Sequence, residues 1–183
     1  MLERYLIAHC APTLASLKTA SLFRLAYTSE EDLRGQLKKW NRQLGDKGVS
    51  LLVLRRVERT ALVYVCRKSR LRRDLCRPGV AGFLSSCGYS SAEPDKAIET
   101  LKQRLAAFDG FPHEIGLFLG YPLGDVLGFI ENAGRNWKCT GCWEVYTDEC
   151  EAVKLFAKFQ KCRDVYARLW KDGRSIRQLT VAA

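Results

Sequence analysis

The chain has 183 residues, 47% hydrophobic and 27% charged, with 30 Lys and Arg against 20 Asp and Glu for a formal net charge of +10. That length and balance exclude a mostly disordered chain and suit one α/β or α+β domain over residues 1 to 183, with a core of its own. No apolar run approaches a membrane span, and Glu3, Arg4 and His9 interrupt any export signal, so the expectation is a cytoplasmic protein whose eight cysteines are reduced thiols.

Residues 2 to 17 read as a short helix interrupted around Cys10-Ala11-Pro12, with a new start just after Cys10, since Pro suits a first helical turn. Residues 21 to 27 alternate as a strand does. Thr28 and Ser29 before Glu30, Glu31 and Asp32 open a helix that runs to about Leu44, with Leu33, Leu37, Trp40 and Leu44 on one face and Gly45 and Gly48 at its end. The apolar runs 50 to 54 and 61 to 66 predict an antiparallel hairpin joined by the charged loop RRVERT.

A helix from about Ser69 to Ser86 follows, broken or kinked at Pro78-Gly79. Ser91, Glu93 and Pro94 open the next, whose stripe is Ile98, Leu101, Leu105 and Phe108 and whose stop is Asp109-Gly110. Glu114 to Leu119 reads as a strand, and a helix begins at Pro122 or Leu123 and runs to about Asn132. Residues 142 to 147 read as a last strand, and a long helix spans roughly Glu149 to Lys171 with Gly173 as its stop. Five strands and about six helices predict a mixed or antiparallel sheet flanked by helices.

Four constellations carry chemistry. The first is Cys10, His113 and Glu114. A thiolate needs a lowered pKa, and a helix start or a nearby imidazole supplies it; Cys10 would be the nucleophile, His113 its base and Glu114 or Asp125 the group that orients the base. This is the layout of papain-like thiol hydrolases. The second is Cys139-Thr140-Gly141-Cys142, whose spacing fits a redox pair or two metal ligands completed by Cys10 or a histidine. Cys150 and Cys162 lie twelve residues, about 18 Å of helix, apart and cannot both join one ion. Cys66, Cys76 and Cys87 read as packed apolar thiols.

The third is the turn Gly120 to Asp125, where a helix start offers N–H groups to an anion and Tyr121, Asp125, Lys18 and Lys138 are candidate ligand contacts. No Gly-rich nucleotide motif accompanies it, so no cofactor class follows. The fourth is the basic block from 55 to 77, where Arg55, Arg56, Arg59, Arg67, Lys68, Arg70, Arg72, Arg73 and Arg77 face only Glu58 and Asp74. Such a surface suits phosphates, RNA or an acidic partner protein. Sequence-specific DNA reading is not expected, because no helix-turn-helix, zinc-finger or RNP signature is present.

Three patches resemble a bacterial family known as domain of unknown function 3793. They are Cys10-Ala11-Pro12-Thr13-Leu14 with Lys18 and Leu22-Phe23; Phe111 to Tyr121-Pro122 with Asp125-Val126 and Gly128-Phe129-Ile130; and Trp143-Glu144-Val145-Tyr146 with Lys161-Cys162 and Tyr166. Glu144 stands where the resemblance leads one to expect Lys. The family carries no settled activity. The resemblance therefore narrows positions and leaves three readings open: an enzyme-like pocket for a small molecule or anion, a redox or metal-handling protein using Cys139 and Cys142, and an adaptor that docks an acidic partner on its arginines.

Overall fold

Three antiparallel strands form the frame: β1 (Ala20–Ala26), β2 (Ser50–Val57) and β3 (Thr60–Cys66), in the order β1-β3-β2. The structure is a computed structural model and describes residues 2–107 and 110–182. The helices are α1 (Leu2–Leu14), α2 (Glu30–Leu44), α3 (Lys68–Leu75), α4 (Val80–Ser86), α5 (Pro94–Ala107), α6 (Ile115–Phe118), α7 (Leu123–Glu131), α8 (Glu149–Lys171) and α9 (Ile176–Leu179). A second, two-stranded ladder pairs β4 (Cys139–Thr140) with β5 (Glu144–Val145). The architecture is α+β: among the described residues five strands divide into a sheet of three and a separate small hairpin, four of them at or within expected strand positions and β4 not expected. None of the helices described is long and apolar enough to cross a membrane.

Strand periodicity sorts the core into two layers. Phe23, Leu25, Leu51, Ala61, Val63 and Val65 point to one face and meet Leu6, Cys10 and Leu14 of α1, Leu33 and Trp40 of α2, and Ile176 of α9. Ala20, Leu54, Leu62, Tyr64 and Cys66 point to the other and meet apolar residues of α3 through α7. Cross-strand rows follow from the register, as in Leu22–Tyr64–Leu52. Central Tyr64 is fully buried and donates its hydroxyl to the Phe118 carbonyl at 2.6 Å.

Local signals account for most boundaries. Ser29 caps α2 by accepting from the Asp32 N–H, and Asp148 caps α8 by accepting from the Glu151 N–H; in both helices acids occupy the first turn, where the dipole favours them. Pro78-Gly79 separates α3 from α4 as expected, and Gly173, at φ +91°, follows the end of α8. The expected stripe residue Phe108 and the first half of the Asp109-Gly110 stop lie outside the described residues. The capping box of Ser175 and Gln178 starts α9, which sequence periodicity did not announce.

Three expectations need correction. Helix α1 is continuous through Pro12 rather than restarting after Cys10. Its buried stripe of Leu2, Leu6, Ile7, Cys10 and Leu14 runs unbroken, and packing along that stripe outweighs the loss at one proline. The loop RRVERT is mostly strand: β2 runs to Val57, leaving Glu58 (φ 52°) and Arg59 as the turn. The third correction is the segment from Glu114 to Leu119, which is the helical turn α6. A short, wholly apolar run satisfies either period. Here Ile115, Gly116, Leu117, Phe118 and Leu119 are all buried, and their N–H groups bond locally, such as Leu117 N–H to the Glu114 carbonyl at 3.0 Å.

Candidate functional site

A cleft of about 480 Å³ opens between the α6–α7 segment and the β4–β5 hairpin, with Leu22 of β1 at its floor. Four aromatic rings line it: Phe111, Tyr121, Phe129 and Trp143. Tyr121 and Trp143 stack with centroids 4.7 Å apart, and Trp143 meets Phe156 of α8 edge-on at 4.6 Å. His113 is exposed at the rim and tilts against Phe129 at 5.0 Å. Thr140, Cys142 and Glu144 supply polar groups from the hairpin. One carboxylate oxygen of Glu144 (Oε2) is buried with no hydrogen-bond partner, as is the Tyr146 hydroxyl.

Asp125 fastens the hairpin to α7. Its Oδ1 accepts from the N–H groups of Tyr146 and Thr147 at 2.9 and 2.8 Å and from the Thr147 hydroxyl at 2.7 Å. Its Oδ2 accepts from the Trp143 indole N–H at 2.7 Å. Burial pushes this carboxyl's pKa up, but the four donors outweigh it and hold the pKa below its ordinary value. Asp125 thus sets the angle of the indole that forms one cleft wall. Its oxygens are already engaged.

Two glycines make the geometry possible. Gly120 adopts φ +82°, and its turn carries the chain from α6 to α7. At Gly141 a Cβ would lie 2.3 Å from Phe156 Cδ2, so the hairpin tip closes on α8 only because that side chain is missing.

Several expected residues meet at this cleft: His113, Tyr121, Asp125 and Cys142 all line it. The Tyr121 hydroxyl donates to the Cys142 carbonyl at 3.1 Å, and burial, reinforced by Cys142, pushes the phenol's pKa up to about 12. Lys18 lies on the far side of the Tyr121 ring, its Nζ 5.4 Å from the centroid. Lys138 lies outside the lining and donates to the Thr147 carbonyl at 2.6 Å, bracing the hairpin.

Cys10 and Glu114 are placed elsewhere. Cys10 is nine residues into α1, fully buried in the layer across the sheet, and absent from the cleft lining. Burial pushes its thiol up to about 12, against smaller opposing effects of Ser21 and Lys18. The supposed help from a helix start is absent, because the helix does not start there. Glu114 is 3% exposed and turned away from the cleft lining, paired with Arg104 and accepting from the Tyr89 hydroxyl at 3.2 Å. Arg104 also donates to the Cys87 carbonyl at 2.7 Å, so the ion pair ties α5 to the start of α6 and this bond ties it to the turn after α4. Cys10, His113 and Glu114 therefore do not converge at the cleft.

The cysteine pair sits on the hairpin: Cys139 pairs with Val145 in the ladder, and Cys142 lies in the turn. Every cysteine is a free thiol. Among the described residues no group of three or more His, Cys, Asp or Glu side chains forms a metal site. Burial, with Glu149 and Asp125, pushes the Cys139 thiol up. Cys66 is packed as expected and Cys87 half-buried, whereas Cys76 is exposed.

The basic block does not form one face. Arg67 is fully buried and donates to four carbonyls: Thr13 and Leu14 at 2.7 Å, Val181 at 2.7 Å and Lys47 at 3.0 Å. Arg70 donates to the Ser16 and Leu17 carbonyls. Arg56 pairs with Glu30, Lys68 with Asp95, Arg72 with Glu93 and Arg77 with Asp74. Arg55 is half-buried on β2, and Arg59 and Arg73 are exposed on separate elements. Counting charges along the sequence could not distinguish arginines that close the fold from arginines that face water.

Sequence reasoning missed the aromatic wall: Phe111, Phe129 and Trp143 were read as parts of patches and elements. The available signal was an indole beside the Gly141-Cys142 turn and a phenylalanine within a glycine-rich helix, both positions where apolar bulk lacks a predicted core partner.

Taken together, fold and site define a class: an α+β protein with a three-stranded core and an aromatic-walled cleft outside it. The chain belongs to the family described as Protein of unknown function (DUF3793), whose model matches residues 6–180. Neither a curated protein nor a solved structure matches it.

Proposed function

We propose that the protein binds a small, planar and largely apolar molecule carrying a hydrogen-bond donor, held between the Tyr121–Trp143 stack and Phe129. The observation that carries this reading is the cleft itself. Its volume of about 480 Å³ lies within the ~300–1,000 Å³ usual for small-molecule sites. Its walls are aromatic, and its few polar groups are an exposed imidazole, a thiol and a carboxylate with an oxygen left over. A ring stacks on such walls, and the Glu144 carboxylate in the lining is the acceptor for an N–H or O–H of the ligand. His113 at the rim is the group available to hold or exchange a proton with the ligand.

The neutral fluorescent probe N-phenyl-1-naphthylamine tests this, since it carries two aromatic systems and one N–H. Saturable fluorescence enhancement at one site per chain is the expected result. Thr140→Trp fills the cleft from an exposed position and weakens that binding about tenfold or more, roughly the loss of one good contact. No saturable binding, or equal binding by the Thr140→Trp variant, overturns the reading.

A further inference from the structure

A second, smaller recess of about 190 Å³ shares Leu119 and Trp143 with the cleft. Its polar lining is Lys18, Arg70, Arg77, Asp74 and Thr19, and Gly120 and Pro122 contribute backbone at its edge. We propose that this recess is an oxyanion site, built for inorganic phosphate or the phosphate of a monoester. It stands independently of the cleft reading.

Charge accounting within the recess supports this. Three cations face one carboxylate, and Asp74 is already engaged by Arg77 at 2.7 Å and by the Thr19 hydroxyl. Among the described residues no carboxylate pairs with Lys18. Its neighbours are the Tyr121 ring, the thiols of Cys142 and Cys10, and a fourth cation, Arg163. Burial pushes the Lys18 ammonium's pKa down; the two sulfurs oppose that shift and Arg163 adds to it.

Arg70 supplies the second observation. Its two terminal nitrogens are fixed by the Ser16 and Leu17 carbonyls at the end of α1, and its Nε is buried with no partner. A half-buried ammonium with no carboxylate partner among the described residues is costly unless an acceptor joins it, and the fixed guanidinium of Arg70 adds positive charge to the same lining. Arg67 shows the contrast: it is more deeply buried than Arg70 and its donors are met by four carbonyls.

The geometry also selects the anion. Arg70, Asp74 and Arg77 lie on successive turns along one side of the α3 region, and Lys18 approaches from the α1–β1 connection. Donors arriving from two elements suit a tetrahedral oxyanion with several acceptor atoms, and guanidinium groups are strong partners for phosphate. The recess is too small to enclose an aromatic ligand of the kind the cleft accommodates.

Thermal unfolding of the full chain in inorganic phosphate, in phenyl phosphate and in sodium chloride of matched ionic strength provides the test. The expected result is a saturable rise in Tm with a phosphate species and a smaller, non-saturating response to chloride. Inorganic phosphate acting best identifies a free-ion site, and phenyl phosphate acting best identifies a monoester site where Lys18→Met weakens the response; a phenyl phosphate response kept by Lys18→Met and lost in Thr140→Trp belongs to the aromatic cleft and overturns the assignment. Lys18→Met and Arg77→Gln each raise the half-saturating concentration about tenfold. Lys18→Met, which removes the unpaired ammonium, melts no lower than the parent chain without phosphate, so loss of response is not loss of fold. A response equal to that of chloride, or one undiminished in both variants, overturns the proposal.

Discussion

The two sides of the sheet solve the same problem differently. On the α1 side the buried donors of Arg67, Thr13 and Ser21 are matched: Arg67 meets four carbonyls, and the Thr13 and Ser21 hydroxyls meet each other at 2.9 Å. On the side of α3 through α7 Glu114 and Asp125 are likewise saturated, but the layer does not close at its margin. There Lys18, Arg70 Nε and Glu144 Oε2 are left with capacity to spare, around two recesses that share the Trp143 indole. Buried polar groups that are fully matched hold a fold together; the ones with unused capacity here lie on the lining of the two recesses for which binding is proposed.

The largest expected effect comes from breaking the closed side. Arg67→Met takes the side-chain donor from four carbonyls, of which those of Thr13 and Leu14 keep a backbone N–H partner and those of Lys47 and Val181 do not, and lowers stability by about 3–4 kcal/mol, read as a fall in the urea midpoint. A loss under about 1 kcal/mol would mean that those carbonyls find other donors and the two sides differ less than described. Next is Asp125→Asn, which puts an amide N–H against donors and costs about 2–3 kcal/mol. It also loosens Trp143, so binding of N-phenyl-1-naphthylamine weakens along with stability. A loss of stability with unchanged probe affinity would separate the carboxylate from the cleft wall.

The pH dependence of the same carboxyl is smaller. Its folded pKa lies below the unfolded value, so its stabilisation is full above the ordinary Asp pKa of about 3.9 and is lost as pH falls through the lower folded value. Melting curves of the parent chain therefore include an acid-sensitive component below about pH 4 that Asp125→Asn lacks. The gentlest probe is thiol alkylation near neutral pH. Exposed Cys76 and Cys150 label first, while Cys10 and Cys66, fully buried and each held at about 12 by burial, label only on unfolding. Labelling of Cys10 as fast as Cys76 would show that the α1 layer is open.

Legibility in the sequence tracked the range of the forces involved. Helices α2, α5 and α8 and the β2–β3 hairpin were readable because caps, acidic first turns and apolar stripes are local. The helical turn α6 was not: its run is buried all round, so neither period leaves a mark. Pro12 misled for the opposite reason, a strong local signal overridden by a stripe that packs along the whole of α1. The turn from Gly120 to Asp125 is legible as a chain reversal, and Tyr121 and Asp125 on it line one side of the cleft. Its partner walls come from 139 to 144, and no spacing rule links the two. Arg67 and Arg70, three residues apart and alike in composition, differ only in which carbonyls the α1 end and the chain's C-terminal residues bring to them.

The closeness of Gly141 to Phe156 has an evolutionary corollary. Because a single added carbon at position 141 would collide with that ring, the two sites are free to vary only in concert: a relative with alanine between its cysteines must carry a smaller residue on the facing helix. The glycine in the middle of Cys-x-x-Cys is thus accounted for by a neighbouring phenylalanine, with no appeal to metal or electrons.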